Sequence, residues 1–308
     1  MGLHWKKRKA RMDLERIVST LIDGLNIGSM YALVALGYTM VYGIAKMLNF
    51  AHGDVIMVGV YTVMVCMTQL QLPLPVTMLA CVVFCALLGF VMEKLAYKPL
   101  RKASPLAVLI TAIGVSYLLQ NVALLIFGSQ RQFFSAPIQI DRIQIGSISI
   151  SGISPVIWIV TVVIMVALSL FIRKTKIGSA MLAVSEDKGA AQLMGVNVNR
   201  TISITFIIGS ALAGIASILY ASAYQNVDPY TGSLFGIKAF AAAVFGGIGS
   251  VPGAMIGGVL IGVIEAITKN FLPGDLTAAS DGFAFAILII MLIVKPSGLL
   301  GKKTTEKV

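Results

Sequence analysis

Ser154-Pro155-Val156-Ile157-Trp158-Ile159-Val160-Thr161-Val162-Val163-Ile164-Met165-Val166-Ala167-Leu168-Ser169-Leu170-Phe171-Ile172 is a run without a single charge, and Arg173-Lys174-Thr175-Lys176 closes it. As a helix it is about 28 Å long, enough to cross the hydrocarbon core of a bilayer, which takes roughly 20 mostly apolar residues. A helix that packs on a water-soluble core keeps one polar face; this run has none, so its solvent is lipid. A cluster of Lys and Arg directly after such a run marks a cytoplasmic flank.

Outward from this stretch the pattern repeats. Apolar runs cover approximately 17–45, 54–72, 76–92, 106–127, 201–224, 234–249, 252–270 and 281–295. The chain of 308 residues is 57% hydrophobic and 12% charged, with a mean hydropathy of +0.91, outside the balance of a soluble domain. Its length holds about eight spans and no large soluble domain. The expected fold is an all-α integral membrane protein. It is a polytopic bundle of about eight transmembrane helices over residues 17–295, with a basic segment 1–16 before it and a tail 296–308 after it.

The formal net charge of +11 fits nucleic-acid binding or membrane topology, and its distribution decides between them. Residues 1–16, 93–102, 173–200 and 295–308 carry 19 of the 24 Lys and Arg but only six of the 13 acids. Basic clusters that alternate with long apolar runs are a positive-inside pattern, so no nucleic-acid partner is expected. Both termini are placed in the cytoplasm, and residues 1–16 are read as a retained anchor rather than a cleaved signal peptide. Parity then fails. Three crossings between residue 16 and the basic loop 93–102 end on the wrong side, so one of the first segments must be broken or re-entrant. The candidates are Gly24, Asn26 and Gly28, or Asn49-Phe50-Ala51-His52-Gly53-Asp54.

In the external segment 128–153, Ile138, Ile140, Ile143, Ile145, Ile148 and Ile150 mostly alternate with polar residues. Period two predicts extended strand, and Gly146-Ser147 is placed to turn it into a small hairpin. The three cysteines, Cys66, Cys81 and Cys85, lie in apolar runs and do not form a disulfide framework. Gly301-Lys302-Lys303-Thr304 lacks the earlier glycine of a phosphate-binding loop, and the glycines of 246–253 lack dinucleotide spacing. With only His4 and His52 and no Cys/His cluster, no metal site, catalytic residue or cofactor is expected.

Polar groups at membrane depth are costly and therefore candidates for function. Asn49, His52 and Asp54 are the densest group. They either cap the ends of a broken helix or touch a solute along a water-filled path. Glu265 needs a cation beside it to stay charged at depth, and Lys238 is available; the pair is either structural or part of a relay. Gly253, Gly257, Gly258 and Gly262 recur at helical spacing, which suits close helix packing or a glycine-lined wall. The cytoplasmic loop 173–200 carries Met181, Leu182, Val184, Leu193 and Met194 among polar residues. That pattern suits short amphipathic helices, forming either an elbow docked on a soluble partner or a connector on the membrane surface.

From about residue 20 to 301 the chain resembles the permease subunits of bacterial ABC importers for branched-chain amino acids, most closely the H-type subunit of that permease pair. The landmarks are Gly28-Ser29-Met30-Tyr31-Ala32-Leu33, Tyr42-Gly43, Asn49-Phe50-Ala51-His52-Gly53-Asp54, Ala96-Tyr97-Lys98-Pro99-Leu100-Arg101, Lys238-Ala239-Phe240, Gly246-Gly247-Ile248-Gly249-Ser250-Val251-Pro252-Gly253-Ala254 and Pro296-Ser297-Gly298-Leu299-Leu300-Gly301.

The resemblance implies a bacterial inner-membrane complex with a second, identical or similar permease subunit, two cytoplasmic ABC ATPase subunits that bind the ATP, and a periplasmic or extracellular solute-binding protein. It also implies that Ala183, Glu186, Asp187, Ala190, Ala191 and Gly195 couple to the ATPases. Many members have Pro where this chain has Lys188. Translocation-path candidates remain Asn49, His52, Asp54, Lys238 and Glu265. The solute implied is leucine, isoleucine or valine, with urea or a short-chain amide as the alternative within the class. An ion-coupled secondary transporter is the alternative outside it.

Overall fold

The computed structural model describes residues 2–101, 103–146, 148–272 and 280–301, with side chains from residue 15 onward apart from those of Ile145 and Ile148. Ser147 of the expected turn, Lys302-Lys303-Thr304 and most of the tail 296–308 lie outside the described residues.

The bundle is helical throughout. Helix α1 (Gly2–Ala45) runs unbroken for 44 residues, so Gly24, Asn26 and Gly28 do not interrupt it. Then come α2 (His52–Thr68), α3 (Leu74–Met92) with a π-helical turn Glu93–Tyr97, and α4 (Pro105–Phe127). The second half has α5 (Ser154–Lys174), the short α6 (Lys176–Glu186) and α7 (Lys188–Leu193), then α8 (Val198–Tyr224), α9 (Thr231–Gly246), α10 (Val251–Phe271) and α11 (Ser280–Val294). Six of these are long and apolar enough to cross a membrane, and α2, α9 and α11 are shorter apolar helices. The expected polytopic bundle is thereby borne out, with nine apolar helices among the described residues.

Local chemistry sets the boundaries. Ser104 before Pro105 accepts the Ala107 N–H at 3.3 Å, and Ser250 accepts the Gly253 N–H at 3.2 Å with Pro252 in the first turn. Both are N-cap hydroxyls preceding a proline whose missing N–H costs nothing there.

Helix α1 is the central post. In its apolar window 89% of the residues are buried, against 17% in α4 and in α5, whose sides face outward. Its main partner is α10, which runs antiparallel to it: Gly24 meets Val263, Gly28 meets Val259, and Gly43 meets Gly249. A β-carbon on Gly28 would lie 2.7 Å from the Val259 Cα, so only glycine allows this approach. The glycines of α10 serve two faces. Gly253 and Gly257 meet Gly246 and Ala242 of α9, while Gly258 and Gly262 meet Ala32 and Gly28 of α1. Helix packing accounts for all four.

The bundle has two distinct ends. At one, Lys188 Nζ donates to the Ala45 carbonyl at 2.9 Å, Arg101 donates to Asn199, and the Leu300 N–H donates to the Gly246 carbonyl at 2.9 Å. At the other, Arg16 donates to the Asn270 carbonyl, and the Phe134 N–H donates to the Gln225 carbonyl at 3.1 Å. Residue 16 and residue 301 therefore emerge at opposite ends. Within the bundle, residue 16 thus lies at the end away from loops 93–102 and 173–200, whereas charge alone predicts it beside them. Charge counting weighs each flank alone, whereas the antiparallel fit of α1 on α10 fixes the direction of the first helix within the bundle.

The hairpin forms as β2 (Ile143–Ile145) and β3 (Ile148–Ile150), antiparallel with Ile143 opposite Ile150 and Gly146 at φ +65°. A second pairing, β1 (Gln132–Phe133) with β4 (Asn226–Val227), ties the same loop to the end of α8.

Gly28→Val is expected to lower stability by about 1–3 kcal/mol through overpacking, read as the thermal denaturation midpoint in detergent. Gly114, whose β-carbon position on α4 has nothing within 4 Å, is the control, and Gly114→Val is expected to stay within about 0.5 kcal/mol. Equal shifts for the two variants would dismiss the α1–α10 contact as the central joint.

Candidate functional site

The polar group 49–54 is a true break inside the bundle. Lys46 adopts φ +57° and ends α1. The chain then turns back inward, and the His52 N–H donates to the Asn49 carbonyl at 3.1 Å as α2 opens. Gly53 lies against Gly232 and Gly236 of α9, so close that a β-carbon on Gly236 would sit 2.7 Å from the Gly53 Cα. The N-termini of two short helices thus meet in the interior, where each concentrates positive charge. Asp54 stands at that junction, its Cα against Gly232.

The three predicted side chains meet different fates. The Asn49 side-chain oxygen accepts the Tyr97 hydroxyl at 2.7 Å, which joins the break to the π-helical turn. Asp54, 1% exposed, accepts Ser116 Oγ at 2.5 Å and Gln120 Nε2 at 3.0 Å, which fasten α2 to α4. His52 is equally buried; it packs edge-on against Tyr38 and fills the space over Gly37, and neither ring nitrogen has a hydrogen-bond partner among the described residues. Neither Asn49 nor His52 caps a helix with its side chain. Ser116 and Gln120 were not singled out from the sequence, although they carried the available signal of polar residues inside the apolar run 106–127, and Tyr97 stood there only as part of a landmark.

A second cluster links four helices nearer the hairpin end. Lys238 Nζ lies 3.0 Å from Glu265 Oε1 and 2.7 Å from Asp281 Oδ1. Glu265 also accepts the Tyr31 hydroxyl at 2.8 Å and pairs with Lys269 one turn along its own helix. The side chains meet because helical side chains lean toward their own N-termini, and α1 and α10 run oppositely. Two cations and two carboxylates neutralise one another, so this network, buried at Lys238 and Glu265 and open at Lys269 and Asp281, acts as a clamp. Asp281 and Tyr31 were invisible as partners because nothing local in the sequence relates α11 or α1 to this site, whereas Lys269, four residues after Glu265 on α10, carried a local signal that was passed over.

At the opposite end, loop 173–200 forms two helices. Thr175 accepts the Gly178 N–H at 2.9 Å to start α6. Asp187 accepts the Gly189 and Ala190 N–H groups at 2.7 and 2.9 Å to start α7, so Lys188 takes the place of a proline without loss of the helix. The Lys188 side chain instead reaches the last carbonyl of α1, a lysine cap on a helix C-terminus; burial, with Arg101 and Lys46 nearby, holds its pKa below the ordinary lysine value. Gly195 turns the chain at φ +84°, a left-handed position that favours glycine. Met181 and Val184 point into the bundle, while Leu193 and Met194 are 91% and 84% exposed. Of the predicted coupling residues, Ala183, Glu186, Asp187, Ala190 and Gly195 are on the surface and Ala191 is buried.

With this geometry established, comparison with known proteins is decisive. Residues 20–292 match the family described as branched-chain amino acid transport system / permease component. The chain belongs to this family. It is 41% identical over 300 residues to the high-affinity branched-chain amino acid transport system permease protein LivH of Escherichia coli K12, a match that covers 94% of this chain and 96% of the relative. It is 40% identical over 308 residues to the corresponding BraD protein of Pseudomonas aeruginosa, covering 96% and 99%. The ribose import permease protein RbsC of Haemophilus influenzae is 25% identical over 301 residues. No solved structure matches the chain. The resemblance drawn from the landmarks is borne out: the chain is the membrane-embedded permease of an ABC transport system and not an enzyme.

If the clamp is an ion-pair network, Glu265→Ala leaves Lys238 buried beside Asp281 alone and is expected to cost about 3–5 kcal/mol. The double variant Lys238→Met/Glu265→Leu should cost clearly less than the sum of its single changes. Additive losses in thermal denaturation would show that the two side chains do not act as a pair.

Proposed function

We propose that this permease forms half of the path of an ATP-driven importer for leucine, isoleucine and valine. The observation that carries the reading is the 41% identity, over nearly the full length of both chains, to a permease named for branched-chain amino acid transport. In this reading a second permease subunit completes the path, two ATPase subunits supply energy in trans, and a solute-binding protein delivers the cargo.

The exposed Leu193 and Met194 at the tip of the elbow are the anchors for an ATPase groove, and Glu186 and Gly195 frame them. Apolar side chains presented by a short helix dock this way into a partner. ATP binding moves the elbow, and Lys188, bonded to the end of α1, passes the movement to the central post. The break at Asn49, His52 and Asp54 is the yielding part of the path, because a ring nitrogen without a partner gives up little when its surroundings change. Lys238 and Glu265 hold the helices around it.

The test is a reconstituted complex of permease, ATPases and binding protein in vesicles. Leucine uptake and leucine-stimulated ATP hydrolysis are expected together, and Leu193→Glu/Met194→Glu is expected to abolish the stimulation while the binding protein keeps its leucine affinity. Tight urea binding by the co-encoded binding protein, in place of leucine, would overturn the substrate.

The side of each end follows, in this reading, from the elbow that meets the cytoplasmic ATPases. The elbow end, which also collects Lys94, Lys98, Arg101, Arg173, Lys174 and Lys176, lies in the cytoplasm, and residue 16, at the opposite end of the bundle, on the external side. Cysteines introduced at Leu193 and at Ile17 are expected to react with a membrane-impermeant thiol reagent only from inside and only from outside, respectively. Labelling of both from one side would refute this orientation.

A further inference from the structure

A cleft of about 300 Å³ opens at the elbow end between the end of α3 and the first turns of α8, walled by Phe90, Lys94, Lys98, Arg200 and Ser203 among others. Its one carboxylate is already engaged. Glu93 is fully buried, pairs with Arg101 and accepts Ser203 Oγ at 2.7 Å. Lys94, Lys98 and Arg200 have no acidic partner among the described residues, so the cleft carries an uncompensated positive charge.

The π-helical turn builds this arrangement. The Lys98 N–H donates to the Glu93 carbonyl, five residues back, at 2.7 Å. The widened turn sends Glu93 inward while Lys94 and Lys98 line the cleft; such turns recur at functional positions. Lys94 lies over the Phe90 ring, 5.2 Å from its centroid, which holds the ammonium beside an apolar surface. Along α3 and the π-helical turn, Leu87, Val91 and Leu95 are 56%, 45% and 73% exposed and follow one another at four-residue spacing, an apolar stripe left uncovered by the described residues. A basic cleft that continues into an exposed apolar stripe matches a molecule with an anionic head and a hydrocarbon tail.

We propose that this cleft binds the phosphate headgroup of an anionic phospholipid, with an acyl chain lying along Leu87, Val91 and Leu95. The site is separate from the elbow tip and from the break, and it gives the permease a lipid requirement at its α3–α8 joint. Each basic side chain beside an anionic headgroup contributes roughly fivefold in affinity, so the three together supply about a hundredfold preference over a zwitterionic lipid.

Native mass spectrometry of the assembled complex in mild detergent, titrated with phosphatidylglycerol or phosphatidylcholine, tests this directly. Wild type is expected to retain phosphatidylglycerol preferentially, and Lys94→Gln/Lys98→Gln/Arg200→Gln is expected to lose the preference. Should the triple variant not assemble, Arg200→Gln alone changes an exposed side chain and is expected to lower the preference about fivefold. Equal retention of the two lipids by wild type, or an unchanged preference in the neutralised variants, overturns the proposal. So does displacement of the lipid by millimolar inorganic phosphate, which would make free phosphate the ligand. Loss of the ATPase subunits from a variant that keeps its lipid preference would assign the cleft to the partner instead and likewise overturn it.

Discussion

Backbone approach between α1 and α10 is the constraint on which the rest of the bundle depends. In lipid, apolar side chains gain nothing by leaving one hydrocarbon environment for another, so association rests on close contact and on polar groups that must find partners. Glycine at 24 and 28 faces Val263 and Val259, and that fit fixes the direction of α1, the height at which it ends, and the end of the bundle where residue 16 emerges. The break at 46–54, the contact with Lys188 and the Tyr31 donation to Glu265 all inherit their positions from it.

Polar residues then act as fasteners at different depths. Asp54 with Ser116 and Gln120 secures α2 to α4, and Asn49 with Tyr97 secures the break to the end of α3. The Lys238, Glu265 and Asp281 group binds α9, α10 and α11. Each fastener satisfies groups that lipid cannot solvate. His52 is buried with both ring nitrogens unpartnered among the described residues, at the point where two short helices meet, so polar attachment is weak there between better-fastened positions.

Much of this was legible in the sequence. Run lengths located the apolar helices, period two found β2 and β3, and the pattern of Met181 and Val184 gave the elbow helices. The need of Glu265 for a cation pointed to Lys238. What stayed hidden has a common cause: a helix that is apolar all round has no amphipathic stripe to report which neighbour it faces. The direction of α1, the reach of Asp281 to Lys238, and the Ser116 and Gln120 bonds to Asp54 are relations between distant segments, and local pattern does not encode them.

The uninterrupted length of α1 carries a mechanical consequence. At 1.5 Å per residue its 44 residues make a rod about 66 Å long, longer than a membrane is thick. The rod is held near the elbow end by Lys188 and along its length by the glycine contacts with α10. With no flexible joint in α1, the two ends of the bundle are linked by one continuous rod.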